Sequence, residues 1–256
     1  MQWQSPVNKT DLGGRVVVIT RPAGTAAALA RRVRTLGGVP VLLPGLTLRS
    51  VPDEATARTA LLVALHSDLL IFTSPAAVRF AAALAPLQTA ATVLAVGQGT
   101  ARALRRHGAL APLTPLRQDS EGLLDHPVLQ HLHDRRVGLI GASGGRGLLR
   151  EQLAARGARL HELHVYQRAR PRLDRRHVDA LLQLPPSAQV LWSSAEALQN
   201  LQQLLSGAAW ARLCAATAVV SSERLADAAR VAGFSRITRA ASALAADLLA
   251  AAMRAD

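Results

Sequence analysis

Four short segments concentrate the hydrogen-bonding groups of this chain: Thr73-Ser74-Pro75, Gly97-Gln98-Gly99-Thr100, Ser193-Ser194 and Ser221-Ser222-Glu223-Arg224. Each follows an apolar, strand-like run and precedes a stretch of helical periodicity, so each is predicted to open a helix. Hydroxyls and backbone amides at a helix start suit carboxylate or phosphate groups, through hydrogen bonds and the positive end of the helix dipole. Any single serine or threonine there is an ordinary N-cap; four such starts around one cleft favour anion binding. Tyr166 is the only tyrosine and sits where an apolar strand leaves its sheet. It reads either as a half-buried aromatic anchor or as a hydroxyl donor over a cleft.

Stronger chemistry is not encoded. Cys214 is the single cysteine, in the apolar stretch Leu213-Cys214-Ala215-Ala216; it excludes a disulfide framework and reads as a buried core residue. His131 and His133 form an H-x-H pair with no further ligands in pattern, so no metal is expected. The run Gly141-Ala142-Ser143-Gly144-Gly145-Arg146-Gly147 lacks the G-x-G-x-x-G spacing of a dinucleotide loop, and Lys9, the only lysine, cannot serve a Walker motif. No G-x-S-x-G elbow is present. The net charge is +13, yet the arginines are dispersed and aromatics are few, so no nucleic-acid partner is expected. An anionic small molecule fits this charge. The N-terminus has neither a basic nor an apolar signal region, and the 240–253 stretch is too short and alanine-rich for a span. A cytoplasmic protein with no membrane contact is expected.

The elements that must position these groups occur twice. Residues 71–78 return as residues 191–198, Ser74 falling on Ser194; at the same offset Val17 falls on Val137, Gly24 on Gly144, Leu29 on Leu149, Val33 on Leu153 and Gly37 on Gly157. Each copy opens with an apolar strand, a turn and a helix that ends at a glycine. In the first copy Leu29, Val33 and Leu36 face inward while Arg31, Arg32 and Arg34 face out. Strands are predicted at 17–20, 39–43, 69–73, 93–96, 137–140, 160–165, 190–193 and 218–220, and those at 69–73, 93–96, 190–193 and 218–220 are continuous apolar runs, the signature of parallel strands covered on both faces. The fold class is therefore α/β, with two similar doubly wound parallel-sheet lobes and a cleft between them. Proline-flanked segments at equivalent points, 47–52 and 167–172, suggest paired crossovers between lobes; a single cut near residues 125–135 is the simpler alternative.

In order and spacing, Val18-Ile19-Thr20-Arg21-Pro22, Phe72-Thr73-Ser74-Pro75-Ala76-Ala77-Val78 and Ala95-Val96-Gly97-Gln98-Gly99-Thr100-Ala101 resemble the uroporphyrinogen-III synthase family. The resemblance continues through Ser120-Glu121-Gly122-Leu123-Leu124, Gly144-Gly145-Arg146, Val165-Tyr166-Gln167, Ser193-Ser194 and Val220-Ser221-Ser222-Glu223-Arg224, and covers the chain after about residue 13. It implies two α/β lobes joined by a two-stranded antiparallel connector. One lobe would combine residues 13–46 with 168–256 and the other would span 50–165, with 47–49 and 166–167 as connector and 1–12 as a flexible tail. It also implies the reaction: cyclisation of hydroxymethylbilane, a linear tetrapyrrole with eight carboxylates, to uroporphyrinogen III, with loss of water and inversion of the last ring through a spiro intermediate.

The resemblance further implies that no cofactor is used, that Tyr166 assists departure of the hydroxyl, and that Arg21, Thr73, Ser74, Gly97, Thr100, Ser120, Ser193, Ser194, Ser221 and Ser222 bind substrate. A monomer meeting hydroxymethylbilane synthase transiently is the implied working form. The chain departs from the family where many members carry an arginine before the glycine-rich turn; Gly141-Ala142-Ser143 stands there instead, and no substrate contact is carried over to that loop. Ser222-Glu223-Arg224 likewise replaces the Gly-x-x-Thr form of the other copy. A two-lobed anion-binding protein without catalysis is the rival class.

Overall fold

The computed structural model describes residues 11–144 and 147–255. Its contacts divide the chain into two compact units: residues up to Thr47 together with those from Ala169 onward, and residues Leu48–Arg168.

The first unit is built on strands β1 (Val16–Ile19), β2 (Val39–Leu42), β8 (Gln189–Trp192), β9 (Thr217–Val220) and β10 (Ile237–Arg239). They lie in the order β10-β9-β8-β1-β2, every neighbouring pair parallel. The second unit orders β3 (Thr47–Ser50), β7 (Arg159–Ala169), β6 (Arg136–Ala142), β4 (Leu69–Phe72) and β5 (Thr92–Ala95) as β3-β7-β6-β4-β5. The repeat explains this. Equating β6 with β1, β7 with β2, β4 with β8 and β5 with β9 makes the orders β7-β6-β4-β5 and β2-β1-β8-β9 the same. The first crossover segment supplies an edge strand, β3, and the second is the end of β7 beside it.

The central strands of both sheets are apolar on both faces, as continuous apolar runs require. In the first unit Val18, Val190, Trp192 and Val220 face one buried cluster, and Val17, Ile19, Leu191 and Val219 face another, beneath α1 (Ala27–Thr35) and α11 (Ala245–Arg254). In the second, Leu70, Phe72, Ala95 and Ile140 pack on one side and Leu69, Ile71, Leu94 and Leu139 on the other.

The glycines equated by the repeat share their backbone geometry, Gly24 with Gly144 and Gly37 with Gly157 all having positive φ; so do Gly108 and Gly233, which end the helices after the equated strands β5 and β9. At Gly37 the reason is a Schellman ending. Its N–H bonds Arg34 O and the Gly38 N–H bonds Val33 O, which requires a left-handed residue after the helix. Gly157 repeats this with Ala154 and Leu153 after α6 (Leu148–Ala155).

Leu12, assigned above to the flexible tail, is fully buried, and its N–H bonds Leu36 O at 2.7 Å. A Cβ on Gly38 would lie 2.7 Å from Leu12 Cδ1, so the absent side chain at Gly38 makes the room for Leu12. Residues 1–10 of that tail lie outside the described residues.

Many arginines are committed to the fold. The Arg15 guanidinium bonds Ala252 O (2.9 Å) and Ala255 O (2.5 Å) at the end of α11, and Arg156 bonds Leu124 O and Leu129 O. Arg236 bonds Pro186 O and Ala215 O. Others pair with acids, as Arg136 with Asp68 and Arg159 with Asp134. Part of the +13 charge therefore holds carbonyls and carboxylates in place.

Candidate functional site

In an open parallel sheet the strand order reverses where two neighbouring strands send their following helices to opposite faces, and a crevice opens there beyond the strand ends. In the second unit that point lies between β4 and β6, and a cavity of about 410 Å³ sits there. Thr73 and Ser74 follow β4, Gly141 and Ala142 end β6, Tyr166 and Arg168 end β7, and Ser120 opens α5 (Ser120–Leu124); all line the cavity.

Ser74 is the N-cap of α3 (Pro75–Leu84), its Oγ accepting the Ala77 N–H at 3.0 Å, and the same oxygen lies 3.2 Å from the Tyr166 hydroxyl. Tyr166 is 7% exposed, and its ring stacks on Phe80 of α3 with centroids 5.3 Å apart and planes 14° from parallel. Both readings of this residue thus describe part of it: the ring is a packed anchor, and the hydroxyl lines a cavity.

Strict alternation along β7 would not place its ring against α3. Leu163 and Val165 face the α3 side and His164 is exposed, so Tyr166 would be expected opposite Val165. The register slips by one between Gly141, paired with His164, and Ala142, paired with Tyr166. This bulge leaves Val165 as the extra residue, and Val165 and Tyr166 join the same buried cluster.

Thr73 donates to Ile140 O at 3.2 Å, tying the end of β4 to β6. Gly141 is needed beside it, since a Cβ there would lie 2.6 Å from Thr73 Oγ1. The cavity also holds charges that the sequence reading missed. Arg150 of α6, and Glu162, His164 and Arg168 of β7, line it; His164 Nε2 lies 3.3 Å from Glu162 Oε1, and Arg168 donates to Ser143 O (3.2 Å) and Gly144 O (2.6 Å). The available signal was the set of charged residues at positions 162, 164 and 168 of one strand. The glycine-rich turn, to which no substrate contact was carried over, borders the cavity through Gly141, Ala142, Gly144 and Gly147. Gly145 and Arg146 lie outside the described residues.

The remaining predicted residues divide. Gly97 is the N-cap of α4 (Gln98–Arg106), but the Gln98 N–H already bonds Gln118 Oε1 at 2.9 Å, and Thr100 is only 2% exposed. At the start of α4, Gln118 thus takes the Gln98 N–H, and the helical turn carries Thr100 inward. In the first unit Ser194 caps α8 (Ala195–Leu204) and Ser222 caps α10 (Glu223–Val231), while Ser193 and Ser222 are exposed and Ser221 is partly so. Arg21, just past β1, is half-buried; its Nη2 donates to Ala243 O at 3.4 Å, its buried Nε has no partner, and burial lowers its pKa. Ser194 and Ser222 thus have cap duties that use one lone pair of each hydroxyl.

Among the described residues no three His, Cys, Asp or Glu side chains converge as a metal site, and His133 pairs instead with Asp134 at 3.1 Å. Burial pushes the Cys214 thiol up to about 11, away from the thiolate that a nucleophile needs. No described helix is long and apolar enough to cross a membrane. The arrangement offers directed hydroxyls, guanidinium groups and one phenol, suited to holding anions and donating a hydrogen bond.

Comparison with known proteins agrees in kind. The family model described as "Uroporphyrinogen-III synthase HemD" matches residues 27–250. The chain is 32% identical to the uroporphyrinogen-III synthase of Salmonella typhimurium (strain LT2) over 230 residues, covering 86% of this chain and 93% of the relative. It is 33% identical to that of Escherichia coli (strain K12) over 236 residues, with the same coverage. Solved structures share the fold. A uroporphyrinogen-III synthetase from Helicobacter pylori gives a TM-score of 0.59 at 16% identity, covering 92% of this chain and 96% of that one. A mutant uroporphyrinogen III synthase from the extremely thermophilic bacterium Thermus thermophilus gives 0.57 at 23%, with the same coverage. With a family model spanning most of its length and two relatives above 30% identity, the chain belongs to the uroporphyrinogen-III synthase family.

Proposed function

We propose that this chain converts hydroxymethylbilane to uroporphyrinogen III, and that the cavity of the second unit is where the hydroxyl departs. The observation that carries this reading is the single tyrosine, whose ring a strand bulge sets against α3 while its hydroxyl lines a cavity at the strand-order reversal. The substrate ionises with help from its own pyrrole nitrogen, which releases electron density as the C–O bond breaks. Tyr166 donates a hydrogen bond to the leaving oxygen and passes its proton across as the C–O bond breaks, so the oxygen departs as water; the phenolate regains a proton when the last ring loses its α-carbon proton at the final closure. The terminal carbon is then attacked by the last ring to give the spiro intermediate, and reopening and reclosure invert that ring. A substrate that closes unaided to the uninverted isomer chiefly needs its chain held in one fold.

Thr73, Ser120, Arg150 and Arg168 hold carboxylates around Tyr166, and Arg21, Ser193, Ser194, Ser221 and Ser222 hold others in the first unit. Glu162, paired with His164, accepts pyrrole N–H groups. The enzyme works as a cytoplasmic monomer without a cofactor, meeting hydroxymethylbilane synthase transiently, because a substrate that cyclises by itself must be handed over quickly.

The test is the product isomer. Incubation with hydroxymethylbilane should give the inverted isomer, and Tyr166→Phe should lower turnover by about 10-fold to 1000-fold while keeping that isomer. A wild type that binds hydroxymethylbilane but leaves it to form only the uninverted isomer would refute the reading and favour a non-catalytic binder.

A further inference from the structure

One oxygen in the cavity is engaged twice. Ser74 Oγ accepts the Ala77 N–H at the start of α3 and lies 3.2 Å from the Tyr166 hydroxyl. A serine hydroxyl has one hydrogen and two lone pairs. The cap takes a lone pair, and the Tyr166 oxygen is the acceptor within reach of the hydrogen. If that hydrogen goes to Tyr166, the phenolic proton is left to point elsewhere, and the open direction is the cavity.

The ring cannot turn to compensate. It is stacked on Phe80, six residues further along the same helix that Ser74 caps, and its backbone is set by the bulge. Helix α3 therefore holds Tyr166 at two points, ring and hydroxyl. Relying on the reading of Tyr166 given above, we propose that Ser74 is a positioning residue for it: the serine hydroxyl donates to the phenol oxygen and so aims the phenolic proton at the substrate's leaving group. Ser74 acts through Tyr166, in place of the direct carboxylate contact that the family resemblance implied for it. A separation of 3.2 Å is long for two hydroxyls, so the effects expected are modest.

Because Tyr166 is the only tyrosine, its ionisation can be followed in the intact protein by the near-ultraviolet absorbance of the phenolate, without substrate. A donor to the phenol oxygen favours the phenolate. Ser74→Ala should therefore move the titration midpoint upward by about half a unit to one unit. Ser74→Thr, which keeps both hydrogen bonds, should leave it in place. Ser74→Asp keeps the helix cap but only accepts, drawing the phenolic proton to itself, and should move the midpoint further up. Arg79, Arg150, Glu162, His164 and Arg168, the charged groups on α3, α6 and β7 around the ring and cavity, are the same in every variant, so differences report on position 74.

With hydroxymethylbilane, Ser74→Ala should lower kcat about 3-fold to 10-fold with KM little changed, and Ser74→Thr should restore it. Ser74→Asp should be as slow as Tyr166→Phe, and adding Ser74→Ala to Tyr166→Phe should cost nothing more. A midpoint that falls or stays put in Ser74→Ala overturns the proposal, as does a kcat loss that multiplies in the double variant. Should the wild type fail to convert hydroxymethylbilane, the functional reading falls, while the substrate-free titration still decides which way the hydrogen bond runs.

Discussion

Gly141→Ala tests how tightly the cavity floor is built. The added Cβ would lie 2.6 Å from Thr73 Oγ1 but 3.6 and 3.7 Å from Thr73 Cγ2 and Cβ, so the hydroxyl alone is in the way. Thr73 is β-branched, and the clash is relieved only by rotating χ1 until its hydrogen faces residue 141, which breaks the bond to Ile140 O. Losing that bond costs about 1 kcal/mol, and crowding a packed site costs about 1–3 kcal/mol. Gly141 is not among the residues of positive φ, so alanine adopts its backbone without strain and regains about 0.4–1 kcal/mol by restricting the unfolded chain. The expected net loss is about 1–3 kcal/mol in urea unfolding, accompanied by a higher KM for hydroxymethylbilane as a cavity hydroxyl is turned away. In a Thr73→Ala background the obstructing oxygen is gone and the nearest remaining approach, 3.7 Å, is ordinary contact. There Gly141→Ala should cost nothing or stabilise slightly. An equal loss in both backgrounds would refute the close approach as its cause.

Other consequences are equally open to measurement. Arg15→Met keeps the side-chain stem but removes the guanidinium from the carbonyls of Ala252, Met253 and Ala255; Gln189 still reaches two of them, so urea unfolding should show a loss of about 1–2 kcal/mol. Unchanged stability would mean that water replaces the cap. Asp68 is held below the usual carboxylate range first by the Arg136 N–H at 2.8 Å and then by the Arg136 guanidinium, and Asp134 by Arg159. Since folding depresses these values, the stabilisation is present above about pH 4 and is lost as pH falls through the folded values. Asp68→Asn should accordingly weaken the protein at about pH 7 but not near pH 2, as followed by thermal unfolding; an equal loss at both would refute the linkage. If the unpaired part of the charge gathers an octa-anionic substrate, kcat/KM should fall as salt is raised, because exposed interactions are screened within about 8 Å at physiological ionic strength. A salt-insensitive second-order rate constant would assign the arginines wholly to the fold.

Much of the architecture was legible because its causes are local. A glycine that must be left-handed after a helix, as at Gly37 and Gly157, and an apolar run covered on both faces, as at β4 and β8, leave their marks within a few residues of sequence. Repeating them 120 residues apart, as Ser74 and Ser194 do, declares two related units. Helix starts at Ser74, Ser194 and Ser222 were readable for the same reason, since a cap and the amide it serves are three residues apart.

The site was legible only as a set of candidates. Tyr166 could be singled out by its rarity, but its direction depends on a one-residue slip of β7 against β6, and a slip of one exchanges the faces of a strand. Nor does composition foretell that Gln118, twenty residues away, closes the start of α4, or that Thr100 turns inward. The same holds for the arginines. Arg168 and Arg150 look like any other dispersed charge until β7 and α6 bring them to one cavity, whereas Arg15, Arg156 and Arg236 are drawn off to hold carbonyls. Sequence by itself determined which elements form and that they form twice, because capping and periodicity are properties of neighbouring residues. Tertiary structure alone decided which hydroxyls and guanidinium groups face the cavity, because register and packing join residues that are far apart in the chain and close in space.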